Sequence, residues 1–132
     1  MSQAEIETLR AVYEAISRGD WDTVLDSYGQ DFEFIPPDQN PIAGTYRGPE
    51  AVRGFFDELW AAFEEVSLEP GPFLEAEEGI VVSLVMTLTP SDSSAKVDTH
   101  ITHLWTMRDG KPVRCRVFLR REEALEAAGL SE

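Results

Sequence analysis

The chain has 132 residues, 42% hydrophobic and 10% aromatic, the composition of a folded domain with a real core and not of a disordered acidic tail. Its 11 basic residues against 25 acidic ones leave a formal charge of −14, which works against nucleic acid and anionic membrane surfaces as partners. No apolar run approaches the roughly 18 residues of a membrane span, and the opening MSQAEIETLR does not read as a signal peptide. The single cysteine, Cys115, fits a reducing cytoplasm and an absence of internal disulfides.

Ser2 and Glu5 have the spacing of a capping box, and Ile6, Leu9, Tyr13 and Ile16 then form one helical stripe. Gly19 ends that helix, and Asp20 is placed to cap a second, WDTVLDSYG, that buries Val24, Leu25 and Tyr28. DFEFIPP predicts a short strand stopped by prolines, and PDQNPIAGTYRG a loop. Pro49 opens the strongest helix, whose apolar face is Val52, Phe55, Phe56, Leu59, Trp60 and Phe63.

From Ser67 the period changes to two. VSLEPGPFLEAEE predicts an irregular edge strand, and GIVVSLVMTLT a long one with Ile80, Val82, Leu84, Met86 and Leu88 on one face. TPSDSSAK is a polar hairpin loop, VDTHITHLWTM a further long strand, and RDGK a tight turn with the Asp-Gly signature. VRCRVFL is the last strand, and EEALEAAG a short helix capped by Gly129. Without repeats, low-complexity tracts or linkers, residues 1–132 read as a single domain.

The only two histidines, His100 and His103, are three residues apart in HITHLW. On a strand that spacing sends them to opposite faces, and one cysteine cannot complete a zinc set, so no metal site is expected. The bulkier face carries Val97, Thr99, Ile101, His103, Trp105 and Met107 and is assigned to the interior. His103 then has two readings, a satisfied core imidazole or an acid/base group in a pocket.

Three helices interrupted by a strand, then antiparallel strands and a short C-terminal helix, resemble the nuclear transport factor 2-like superfamily. The stretches YEAISRGDWDTVLDSYGQDFEF, YRGPEAVRGFFDELW and HLWTMRDGKPVRCRVFLRREEALEAAGL carry the likeness, which is nearest to the SnoaL-like polyketide-cyclase and ketosteroid-isomerase-like branches. The resemblance implies an α+β cone, with a curved antiparallel sheet wrapped around three N-terminal helices and a pocket between them. It assigns Ile16, Phe34, Phe56, Trp60, Leu84, Met86, Trp105, Cys115 and Val117 to the pocket lining; of the inward polar residues, His103 and Tyr13 are the candidate catalytic pair. It also implies a homodimer, for which Leu104 and Phe118 on the outer face are candidate interface residues.

Carried over residue by residue, the isomerase base falls at Pro36, its tyrosine at Val12 and its late-strand acid at His103. None of the three carries the isomerase residue, so steroid-isomerase chemistry is not expected. Where the cyclase branch has an acid before the last helix, this chain has Leu119-Arg120-Arg121. An epoxide-hydrolase cluster would need Asp98, Arg116 and Asp26, but the strand register turns Asp98 outward. The expectation is a cytoplasmic protein binding a neutral or apolar small molecule without metal or organic cofactor. Two roles stand for it, a cofactor-independent isomerase, cyclase or hydrolase and a non-catalytic binding module. A dimeric structural domain with a solid interior is the third reading. Tyr13 is either a donor to the site or plain core.

Overall fold

The computed structural model describes residues 2–37, 44–92 and 95–130, with the Ser2 side chain excepted. The Ser2 half of the capping box, the middle of the loop before Pro49 and the tip of the polar hairpin loop therefore lie outside the described residues. Within them the order is helix α1 (Ser2–Arg18), α2 (Trp21–Ser27), strand β1 (Glu33–Ile35), β2 (Tyr46–Arg47) and α3 (Pro49–Ala61). There follow β3 (Phe63–Ala76), β4 (Gly79–Pro90), β5 (Val97–Arg108), β6 (Lys111–Phe118) and α4 (Arg121–Ala127).

Four helices thus accompany a curved, unclosed six-stranded sheet in the order β2-β1-β6-β5-β4-β3, an α+β architecture. All neighbours are antiparallel except β1 and β6, where Phe34 lies beside Cys115 in a parallel pair. Glu33 secures that junction. Its carboxylate bonds Arg47 on β2 and takes the Arg114 Nε of β6 at 3.0 Å, and these two cations hold it below the usual carboxylate range, Arg47 foremost.

Local signals place most of the boundaries. Asp20 accepts from the Thr23 amide at 3.3 Å and from its hydroxyl at 2.7 Å, capping α2. Asp109 and Gly110, at φ 53° and 78°, make the primed turn between β5 and β6. Beyond α4 the Leu130 amide reaches the Leu125 carbonyl at 2.8 Å around Gly129, at φ 86°. Two expectations are corrected. Phe63 belongs to β3 and not to the third helix, since α3 ends at Ala61. Tyr46 and Arg47, read as loop, pair with β1.

Gly79 begins β4 at φ 146°, and a Cβ there would sit 2.0 Å from the Trp105 carbonyl oxygen. The backbones of β4 and β5 approach too closely for any side chain at that point. This contact fixes the register in which Ile80, Val82 and Leu84 oppose Trp105, His103 and Ile101. Alternation then sends Ile101, His103 and Trp105 into the main core under α1 and α3. Val97, at the strand's outer end, is 50% exposed and departs from the expected inward face.

The opposite face of the sheet is covered as well. Leu104, Phe118 and Val81 pack with Ala124, Leu125 and Ala128, which α4 and its cap bring over β5. Leu104 and Phe118 are therefore occupied within one chain and are not free for a subunit interface, which corrects that assignment.

Candidate functional site

Between the helices and the concave side of the sheet lies a cavity of about 170 Å³. Its deep walls are buried residues: Ile16 of α1, Tyr28 after α2, Phe34 of β1, Phe55 and Phe56 of α3. Ile101, His103 and Trp105 of β5 and Cys115 and Val117 of β6 join them, with Pro36 beyond β1. Half-exposed Pro37, Leu59, Trp60, Leu68, Met86 and Thr99, with exposed Leu119, form the rim. Among the described residues, no Asp, Glu, Lys or Arg side chain borders the space, and the polarity of this lining comes from neutral groups.

Aromatic rings set the shape. Phe56 stacks on Trp21 at 5.0 Å between centroids and meets Trp60 edge-on at 5.5 Å. Phe34 touches both Phe55 and Phe56 at 5.0 Å. The α3 stripe supplies three of these rings because positions three and four apart share a helix face.

At the deep end three side chains form a hydrogen-bond chain. The Trp105 indole N–H donates to the Tyr13 hydroxyl at 2.8 Å, and that hydroxyl lies 2.7 Å from His103 Nδ1. The Tyr13 and His103 rings are within 8° of parallel, and Trp105 stands edge-on to both. Among the described residues, His103 Nε2 and the Tyr28 hydroxyl have no hydrogen-bond partner from the protein, and both residues border the cavity.

Burial decides the protonation states. It pushes His103 down to about 3, because a charged imidazole would lose its hydration with no carboxylate nearby to replace it. It pushes Tyr13, Tyr28 and the Cys115 thiol well above their ordinary values. At neutral pH the described lining of the site is uncharged. His103 is a weak base there, and Cys115 is held as a thiol and not as a nucleophilic thiolate.

The sequence-assigned residues distribute unevenly over this geometry. Ile16, Phe34, Phe56, Trp60, Met86, His103, Trp105, Cys115 and Val117 border the cavity. Leu84 does not; it is 3% exposed and packed into the core, on the inward side but at a depth that alternation cannot specify. Tyr13 does not border it either, and reaches it only through His103. Sequence reasoning missed Tyr28, Pro36, Pro37, Phe55, Leu59, Leu68, Thr99, Ile101 and Leu119 as lining. Thr99 and Ile101 share the parity of His103, and Phe55 and Leu59 the α3 stripe, so a signal existed for these four.

Other constellations are not brought together. Asp98 accepts from the Thr87 hydroxyl at 2.8 Å on the outside, while Asp26 and Arg116 are exposed. Arg116 lies 4.7 Å over the Phe118 ring. Among the described residues, no three His, Cys, Asp or Glu side chains are arranged to hold a metal ion, and no helix is long and apolar enough to cross a membrane.

Comparison with known proteins places this geometry. Among solved structures, a protein of unknown function from Burkholderia pseudomallei K96243, with the nuclear transport factor 2-like fold, superposes with a TM-score of 0.78. It is 25% identical, over 95% of this chain and 97% of that one. TerC, crystallised with polyporic acid, gives 0.79 at 23% identity over 95% and 97%. A ketosteroid-isomerase-like protein from Catenulispora acidiphila DSM 44928, in complex with trimethylamine, gives 0.75 at 15% identity over 94% and 93%. No curated protein matches the chain. The model of the SnoaL-like domain matches residues 9–115, and the chain belongs to that family.

Proposed function

We propose that this chain is a single SnoaL-like domain that binds a neutral, largely apolar organic molecule inside the cone, without metal or organic cofactor. The observation that carries this reading is a cavity of about 170 Å³ that, among the described residues, is bordered by no formally charged side chain. Bringing an ion into such a space would forfeit hydration worth several kcal/mol with no counter-charge to offset it. A dry cavity of about 150 Å³ accepts benzene, so the natural occupant here is about one substituted ring in size. Two of the structural neighbours hold small molecules, which supports the general reading and leaves the ligand of this chain to experiment.

The test is a matched panel: toluene and benzyl alcohol against benzoate and benzylammonium. Neutral members should raise the unfolding temperature in proportion to ligand excess and perturb the Trp105 indole signal. Charged members should do neither. Equal binding of benzoate or benzylammonium, or no response to any neutral ring, would remove the proposal.

A second reading is favoured by one observation, that His103 borders the cavity and its Nε2 has no partner among the described residues. It is cofactor-independent turnover of the bound molecule, by isomerisation, cyclisation or hydrolysis, with His103 touching the reacting group and Tyr13 holding the ring. His103→Gln should then abolish turnover of any substrate found while leaving binding of unreactive neutral rings in place; an unchanged rate would refute it.

A further inference from the structure

The hydrogen-bond chain at the deep end of the cavity has a direction. An indole N–H can only donate, so the Trp105 hydrogen points at the Tyr13 oxygen, 2.8 Å away. A phenol owns a single hydrogen. With its oxygen accepting from Trp105, the acceptor left for that hydrogen among the described residues is His103 Nδ1 at 2.7 Å. Were Nδ1 protonated instead, the phenol would accept twice and its own hydrogen would be stranded in a residue 1% exposed. A neutral imidazole has one N–H, and with Nδ1 accepting it must be at Nε2.

We infer that Trp105 is a positioning residue: acting through Tyr13, it locks His103 as an Nε2–H donor toward the cavity, so that the favoured occupant carries a hydrogen-bond acceptor. Ketones, aldehydes, esters, quinones and epoxides belong to that class; hydrocarbons of the same outline do not. Tyr28 is also a wall residue, and its hydroxyl can rotate to donate or accept and so does not discriminate. Only the imidazole has its polarity imposed from behind. The selectivity rests on occupancy of the cavity as proposed above; the tautomer does not.

Two measurements separate them. In the ¹⁵N-labelled wild-type protein, long-range ¹H–¹⁵N correlation should show a bare Nδ1 and a protonated Nε2 on His103. A hydrogen on Nδ1 overturns the inference. Trp105→Phe keeps an aromatic ring and opens the place of the indole N–H to a water that can take the Tyr13 hydrogen, which should release a mixture of tautomers; a pure Nε2–H form in that variant removes Trp105 from the role. Tyr13→Phe breaks the same chain at its middle and serves if the first variant does not fold.

Acetophenone and α-methylstyrene then share one outline and differ by C=O against C=CH₂. Acetophenone should bind wild type about tenfold more tightly, the value of one hydrogen bond to an otherwise unpaired donor, and the preference should shrink in both variants. Equal affinities overturn the selectivity. If neither binds while Nε2 is protonated, the polarity of the ring is upheld and the proposed occupancy is what fails.

Discussion

The Tyr13 hydroxyl meets Nδ1 of His103 at 2.7 Å across 90 residues of sequence, joining the first helix to the fifth strand inside the core. The same oxygen holds the indole of Trp105, so one atom organises three buried polar groups. Such a network is worth most when complete, because each member lost leaves others unpaired in a dry interior.

Tyr13→Phe should therefore destabilise the fold by about 3 kcal/mol, through orphaning both the Trp105 N–H and the His103 nitrogen. Adding His103→Leu removes one orphan, so the double variant should lose less than the sum of the single changes. Urea denaturation of the four proteins measures this; strictly additive losses would show that the two residues act independently.

Acid stability should carry the signature of a neutral buried imidazole. His103 is about 3 in the folded protein against about 6.5 in an unfolded chain, so below 6.5 the unfolded state binds a proton that the native state refuses. Stability from this group is full above 6.5 and falls by about 1.4 kcal/mol per pH unit down toward 3. The rings against the imidazole are those of Tyr13 and Trp105, neither of them charged in this range. Glu33, whose value is lowered, loses its contribution in the same direction, so the comparison must be with a variant. His103→Gln should flatten the stability-versus-pH slope by one proton between pH 4 and 6; an unaltered slope would mean that the ring is protonated in the fold.

Cys115 is 1% exposed and its thiol is pushed upward by burial. Iodoacetamide at pH 8 should leave it unmodified in the folded protein and alkylate it fully in urea. Native-state labelling within minutes, followed by mass spectrometry, would reveal an opening of the cavity that this packing does not contain.

Gly79→Ala should cost about 3 kcal/mol, more than its position at a strand end suggests. The added carbon meets the Trp105 carbonyl oxygen at 2.0 Å on a backbone at φ 146°. Differential scanning calorimetry reads this directly, and a loss near 0.5 kcal/mol would show that the turn relaxes without strain.

How much of this was legible in the sequence varies with the physics of each element. Alternation in 97–107 separated the two histidines, and the structure buries His103 while leaving His100 exposed. The Asp-Gly turn, the Asp20 cap and the Gly129 cap were readable because each rests on one residue's local chemistry. The end of α3 was not: Ala62 caps it with neither glycine nor proline, and Phe63 continues the spacing of Leu59 and Trp60 into what is already a strand. Tyr46–Arg47 is too short for any period, and its pairing with β1 is fastened by Glu33 from elsewhere in the chain. Leu84 was placed on the correct face but not at the correct depth. The Trp105–Tyr13 bond depends on two side-chain directions that no spacing encodes.

The helix α4 has a further consequence, since it presses on Leu104, the residue next to His103, from the outer side of the sheet. With helices bearing on both surfaces, β5 is held in place from either side. Under the function proposed above, the hollow would act as a mould cast before its contents arrive, with size set by backbone and not merely by side chains that could step aside.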